Sequence, residues 1–502
     1  MERIPSDNLN HDELQKLVLQ LQKQLASQAK LIERQAKRIE ELESELKELR
    51  KKNPTLRLEE AYSVKAEEKR REDAQQSGKP KKKKQKSKRR GRITTAEKLA
   101  AATQEENVCP AEYLLQECTW RYSRVAWRII EGQAVLVAYH IYAGPDGRVP
   151  QIPGVPKRGE FGMEIITSLA WQHYIAGLSL DTVIGEFEFY WNLTLRKSQA
   201  DRMLNRLAKE WLPEFDALCQ LLAVSAVVYA DETSWSINSV WAFLSEHSRI
   251  TVFGCHKDGE TLAVLLKKEE FKGILVSDDA AVYQGFSLAQ KCWAHLLRKA
   301  IRLTLLKPDR PQYKEFLDAL LEIYRKGKAI ASDKRLTEAS RCARVEQLVD
   351  AVCDCTGARF ADETKPTDEA EKDFFFDLTH EIVRLMSDDE LFTFVIHPEA
   401  DGTNNISERQ LRDPAQDRAT GQTNKTERGA RRRTVITSVL DSLRAHVPKL
   451  TLKTALEELN RWQQTGISCF RRLVNKLKLP ALNLPDKIQS PLELLVPLND
   501  TG

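Results

Sequence analysis

The run VVYADETSWS, residues 227–236, sets two acids, Asp231 and Glu232, directly behind a string of apolar residues. Residues 224–230 have the continuous apolar character of a strand buried on both faces, where an ionised carboxylate costs several kcal/mol unless something pairs with it. The acid is therefore expected at the strand's end, facing a partner. Residues 224–231 read as a first strand, VWAFLSE and RITVFGC within 240–255 as two more around a polar turn, and DGETLAVLLKK as a helix. GILVSDDAAVY reads as a strand ending in acids, and QKCWAHLLRKAIRL as a short strand running into a helix.

Three strands, then helix, strand, helix, strand is the ribonuclease H order, an α/β domain on a mixed sheet in which strands one and four are neighbours. That order brings Asp231 and Asp278 to one edge of the sheet. Two converging carboxylates, without His or Cys at zinc spacing, make a hard-oxygen site suited to Mg²⁺ or Mn²⁺. With a third acid they can hold two ions roughly 3.5–4 Å apart, the arrangement that cuts or transfers a phosphodiester. The third acid is expected in TNNISERQLR, where Asn404 or Asn405 caps a helix and Glu408 sits about one turn in, ahead of Pro414.

Around this centre the 502 residues are long enough for roughly three to five units. From 14 to 49, apolar residues recur at alternating four- and three-residue steps, interrupted by Gln28 and Gln35, so 1–52 is expected to be a coiled-coil oligomerisation segment. Residues 53–104 read as a flexible basic linker; ten of the fourteen residues in 79–92 are Lys or Arg, including Lys81, Lys82, Lys83, Lys84, Arg89 and Arg90. Net charge is only +5, so this run concentrates a field suited to phosphates. Residues 105–160 read as a small strand-rich module and 161–222 as a helical, helix-turn-helix-like DNA-binding region, broken at Gly177 and near 191–194, with Arg196, Lys197 and Arg202 on its recognition helix. The sheet domain occupies 223–305 and resumes at 401–465, with a C-terminal tail over 466–502. No run of 18 apolar residues and no apolar leader is present, and nine scattered cysteines read as reduced thiols, which together suggest a cytoplasmic protein without a membrane partner.

The ordered segments YADETSW, FKGILVSDDAAVY, CWAHLLR, TNNISERQLR and TNKTERGARRRTVITSVLDSLR resemble the IS66-type bacterial insertion-sequence transposases, of the DDE class, over nearly the whole chain. The resemblance implies a metal-dependent DNA transposase with Asp231, Asp278 and Glu408 as catalytic and metal-binding triad, two Mg²⁺ or Mn²⁺ ions per site, and a helical insertion over 306–400. It also implies DNA partners at element ends and target, a homo-oligomer paired through the coiled coil, and nucleoid association. Cys292 and His295 resemble a C-x-x-H signature with a packing and positioning role, alongside Asp279 and Asn405. The doublet leaves Asp278 or Asp279 as second ligand, with the alignment on VSD favouring Asp278. Where the family carries Cys-Pro-x-Cys this chain has Cys109, Pro110, Ala111 and Glu112, so the small module resembles a degenerate zinc-binding domain with an incomplete ligand set. Beyond Glu408, the basic residues Arg409, Arg412, Arg418, Lys425, Arg428, Arg431, Arg432 and Arg433 are expected to contact DNA.

Two other readings fit parts of the sequence: a catalytically silent DNA-binding or architectural protein, and a ribonuclease H-like nuclease or resolvase. The sequence leaves open whether accessory proteins of the same element take part.

Overall fold

The computed structural model describes residues 93–357 and 369–498; the expected coiled coil and the basic run lie outside them. Inside the stretch read as linker, Thr94 and Glu97 close a capping box on helix α1 (Thr95–Ala100). Three strands follow, β1 (Gln104–Val108), β2 (Thr119–Ile130) and β3 (Gln133–Ala143). They pair in the order β1-β3-β2, β1 parallel and β2 antiparallel to β3.

Helices α2 (Met163–Tyr174), α3 (Leu180–Trp191) and α4 (Lys197–Ala223) come next. Gly177 at φ +69° and Asn192 at φ 54° break the chain where sequence expects, because the left-handed conformation ends a helix. The long α4 carries Leu204, Leu207, Trp211, Phe215, Leu218 and Leu222 on one buried face, and these share a single hydrophobic core with the sheet that follows.

That sheet is mixed, with strands β4 (Val227–Ser234), β5 (Ser239–Leu244), β6 (Arg249–Cys255), β7 (Ile274–Ser277) and β8 (Ala289–Lys291) in the order β6-β5-β4-β7-β8. Helix α5 (Gly259–Leu265), capped by Asp258, makes the crossover from β6 to β7. Two details differ from the sequence reading. The first strand begins and ends three residues later than expected, and burial on both faces belongs to β5, every residue of which is buried, while β4 alternates. Between β7 and β8 the chain makes only a 3-10 turn, Ala281–Tyr283, instead of a helix. Glycine at 273 lets β7 enter beside β4: a Cβ there would lie 2.2 Å from the Ser225 carbonyl oxygen.

The outer strand β6 would present unpaired amides, an edge that proteins cover or blunt. A later helix, α13 (Glu427–His446), covers it with hydroxyls spaced four residues apart. Thr434, Ser438 and Ser442 accept the N–H groups of Phe253, Thr251 and Arg249 at 3.0, 3.0 and 2.9 Å. One helix face thus stands in for a missing strand.

Helix α6 (Trp293–Leu306) leaves the sheet and joins α7 (Pro311–Ser332), α8 (Glu338–Gly357), α9 (Glu369–Ser387) and α10 (Thr393–Ile396) around a second core centred on Trp293, Leu320, Ile382 and Phe394. The chain then returns through α11 (Asn405–Gln410), α12 (Arg412–Ala419), α13 (Glu427–His446) and α14 (Leu452–Thr465). Residues read as a tail form two more helices, α15 (Cys469–Lys476) and α16 (Pro491–Leu495); Phe470, Leu492, Leu495 and Val496 are buried in the first core. Short helices separated by prolines carry too few periodic positions to be seen in sequence.

The α16 cap tests this packing. Ser490 donates its hydroxyl to Asp216 on α4 at 2.5 Å, and burial pushes the Asp216 carboxyl up to about 6, with the charge of Glu493 adding. An acid whose folded-state pKa is raised favours folding at low pH, and that contribution is lost as pH climbs from about 4 through about 6. Asp216→Asn keeps the acceptor and removes the charge. It is expected to stabilise the protein at pH 8 by up to about 3 kcal/mol and to change nothing below pH 4. Urea midpoints at pH 8 and pH 4 measure both.

Candidate functional site: a carboxylate cluster at the sheet edge

The parallel ladder between β4 and β7 runs from Val227–Ile274 to Tyr229–Val276 and stops there, while β4 continues against β5 alone as far as Ser234. Asp231 thus lies inside β4, two residues past the end of its parallel neighbour, and Asp278 follows the last residue of β7. The sequence expectation of an acid at a strand end holds for the ladder with β7, not for the strand itself. The Asp231 Oδ1 accepts the Glu232 N–H at 2.9 Å, and the Asp278 Oδ1 accepts the Ala280 N–H at 3.0 Å, opening the 3-10 turn.

The third acid arrives through Asn404. This residue is fully buried; its amide Nδ2 donates to the Ala230 carbonyl at 2.7 Å and its backbone N–H to the Cys292 sulfur at 3.1 Å. One residue, through its side chain and its backbone N–H, therefore ties α11, the start of α6 and the residue before Asp231 together. Asn405, the residue expected to support the site, is exposed, with its carbonyl accepting Arg409 Nε at 3.2 Å. Sequence offered two adjacent asparagines and no means of choosing.

Glu408, a turn into α11, is gripped by Arg298 of α6, whose Nη2 reaches both carboxylate oxygens at 2.5 and 2.8 Å. The His295 Nδ1 is 3.7 Å from the same carboxylate. Among the described residues, the three ligand atoms lying within 4.8 Å of one another belong to Cys292, His295 and Glu408; Asp231, Asp278 and Glu408 do not meet that spacing. Burial raises the Cys292 thiol, outweighing the Asn404 N–H that its sulfur accepts, so the thiolate that zinc requires is disfavoured, and the His295 Nδ1 is buried beside Glu408 without a hydrogen-bond partner.

The acids nonetheless sense one another. Burial pushes Asp231 up to about 7, with the charges of Glu232, Asp278 and Glu408 adding and the Glu232 N–H opposing. Among the described residues neither Asp231 nor Asp278 has a basic side chain in ion-pair contact, whereas Asp279 is paired with Arg384 of α9. Two neighbouring, uncompensated carboxylates form an oxygen donor set that fits a divalent cation. Beside them opens a cleft of about 660 Å³ between α6 and α9, lined by Asp278, Asp279, Lys291, His295 and Lys299 on one wall and Glu381 and Arg384 on the other.

The basic residues divide into two sets. Arg196, Lys197, Arg409 and Arg412 are exposed, with Lys197 in ion pair with Asp181 at 2.7 Å. In the RGARRR run Arg428 stays exposed while Arg431, Arg432 and Arg433 turn inward, unlike the DNA-facing stripe expected from sequence. Arg431 Nε donates to the Val496 carbonyl at 2.6 Å, Arg432 Nε to the Tyr174 hydroxyl at 2.8 Å, and Arg433 is buried beside Asp417. Helix α13 packs between the sheet and α4, and its guanidiniums brace those neighbours. Sequence reasoning also missed Arg298, Glu232, Tyr283 and Lys257, whose partners are remote in the chain.

Residues 158–432, which span the second sheet, the helical insertion and all three acids, match the profile of the Transposase IS66 family. No curated protein matches the chain. Among the described residues no helix is long and apolar enough to cross a membrane. With more than half its length matched, this chain belongs to the IS66 transposase family, whose members act in DNA transposition.

Proposed function

We propose that the chain is a DDE-type transposase that cuts and joins DNA strands at the ends of an insertion sequence on a ribonuclease H-like domain, with Asp231, Asp278 and Glu408 as its catalytic carboxylates. One observation carries this reading. The first and fourth strands of the second sheet are parallel neighbours, and their acids emerge together where that ladder ends. Asp231 and Asp278, with Glu408 as third carboxylate, would hold Mg²⁺ or Mn²⁺, which when bound supplies an activated water or 3′-hydroxyl and stabilises the leaving oxygen of the phosphodiester.

The protein's own groups set the stage for that step. Asn404 fixes Glu408 relative to Asp231 through the Ala230 carbonyl. His295, its pKa lowered by burial and by Arg298, stays neutral beside Glu408 and adds no charge to compete with a cation. Arg298, half-exposed beside Glu408, carries a guanidinium that suits a phosphate as well as it suits Glu408. The exposed Arg409 and Arg412 next to the site, and Arg196 and Lys197 at the start of α4, would follow the DNA backbone, joined by the basic run over 79–92. Pairing of protomers through residues 1–52 would hold two element ends at once, in a cytoplasmic, nucleoid-associated assembly that accommodates accessory proteins of the same element.

The test is strand cleavage and strand transfer on DNA carrying the element's own ends, with Mg²⁺, Mn²⁺ or chelator, for wild type beside Asp231→Ala. Activity that requires the cation and vanishes in the variant while end binding persists is the expected result. End binding without cleavage in either protein would overturn it in favour of an architectural role.

A further inference from the structure

Glu232 is the acid that the metal site does not use. Its side chain is 2% exposed, and both oxygens are occupied: Oε1 pairs with Lys257 Nζ at 2.6 Å, and Oε2 accepts the Tyr283 hydroxyl. A buried carboxylate of this kind is costly unless fully partnered, and replacing such a network by apolar side chains is often neutral or stabilising. Such a network is better accounted for by the geometry it holds than by the stability it adds.

The contacts close a ring around the strand ends. Glu232 follows Asp231 in β4. Tyr283, fully buried, ends the 3-10 turn that Asp278 opens, and its carbonyl lies 3.3 Å from the Lys291 ammonium. Lys291, itself buried at the end of β8, also reaches the Ser277 hydroxyl at 3.4 Å, and that hydroxyl donates to the Asp278 carbonyl at 2.9 Å. From Asp231 the path runs through Glu232, Tyr283, Lys291 and Ser277 back to Asp278. The ladder between β4 and β7 ends short of both acids, so their spacing is not set by backbone pairing.

We propose that Glu232 and Tyr283 form a clamp that fixes the separation of Asp231 and Asp278 for a divalent cation, Glu232 being a positioning residue and not a ligand; this rests on the metal-binding reading above. The clamp acts through the Tyr283 hydroxyl and its acceptor. Groups that orient metal ligands change metal affinity by about 10–100-fold when lost.

Mn²⁺ binding to the full chain without DNA, read from the EPR signal of free Mn²⁺, tests the clamp independently of catalysis. Wild type is expected to bind Mn²⁺ that Asp231→Ala does not. Tyr283→Phe, which removes one oxygen, is expected to weaken binding by about 10–100-fold while the chain stays folded with a lowered urea midpoint, since Glu232 loses one partner and keeps its ion pair with Lys257. Glu232→Gln, which keeps an acceptor for Tyr283 and removes the charge, is expected to weaken it only a few-fold. Tyr283→Phe binding like wild type, or losing its folded state along with its metal, overturns the clamp. So does Glu232→Gln losing as much affinity as Tyr283→Phe, which would assign the effect to charge. No difference between wild type and Asp231→Ala overturns the metal reading, and the clamp with it.

Discussion

Asp278→Asn is expected to reduce strand cleavage by about three orders of magnitude or more, while Asp279→Asn keeps the rate within about tenfold of wild type. The two residues are adjacent, and sequence alone leaves either as the second ligand. Their surroundings separate them. Asp278 has no basic partner among the described residues, adds to the charge felt by Asp231 and follows the last residue of β7. Asp279 is spent on Arg384, a residue of the insertion helix α9, and so ties that helix to the sheet edge. On the proposed metal site, exchanging Asp278 for an amide would remove a negative ligand worth several kcal/mol of charge stabilisation, and each 1.36 kcal/mol is about tenfold in rate. Exchanging Asp279 leaves Arg384 a neutral acceptor in a partly exposed pair, where the loss is about 1 kcal/mol or less. Single-turnover cleavage of pre-bound element ends isolates the chemical step. Equal loss in both variants would show that the doublet works as one unit, and the reverse order would move the ligand to Asp279.

What sequence made legible follows from what its signals report. Hydrophobic runs gave the order of the strands and the crossover helix α5, because burial is a local, periodic property. They misplaced the start of β4 because Val224 and Ala226 are as apolar as a strand, yet α4 ends on Ala223 and Val224 is half-exposed. Asp231 and Asp278 were found because acids directly after apolar runs stand out. Glu232 stands in the same motif and was passed over: its partner Tyr283 is 51 residues away, and a local pattern carries no information about that pairing. The arginines of α13 show the same limit from the other side. Composition counts charges but does not say which way a helix faces, and α13 is buried on nearly every face, so its guanidiniums became internal braces.

The strongest of those braces is Arg433, and replacing it by Met is expected to destabilise the folded chain by about 3–5 kcal/mol. The guanidinium is buried in an ion pair with Asp417 of α12, donates to the Gln422 carbonyl at 3.2 Å and lies over the rings of Phe253 at 4.5 Å and Trp235 at 5.1 Å. Methionine can occupy the aromatic pocket, but it leaves Asp417 buried without its counter-charge, and that orphaned carboxylate is the larger part of the loss. The companion change separates the two causes. Adding Asp417→Leu to Arg433→Met removes the stranded charge and is expected to recover most of the stability, since a buried pair exchanged for apolar groups is often close to neutral. Urea unfolding followed by tryptophan fluorescence measures both variants beside wild type, and a single Arg433→Met variant within about 0.5 kcal/mol of wild type would contradict the argument. Activity is expected to behave differently. Helix α12 begins where α11 ends, at Leu411, and Arg418 on α12 holds the Ser234 carbonyl at 2.6 Å, so the Arg433–Asp417 pair helps orient the helices that carry Glu408 against β4. The apolar double variant should therefore regain its fold without regaining full cleavage, because packing restores the position of α12 less tightly than a charge pair with fixed geometry.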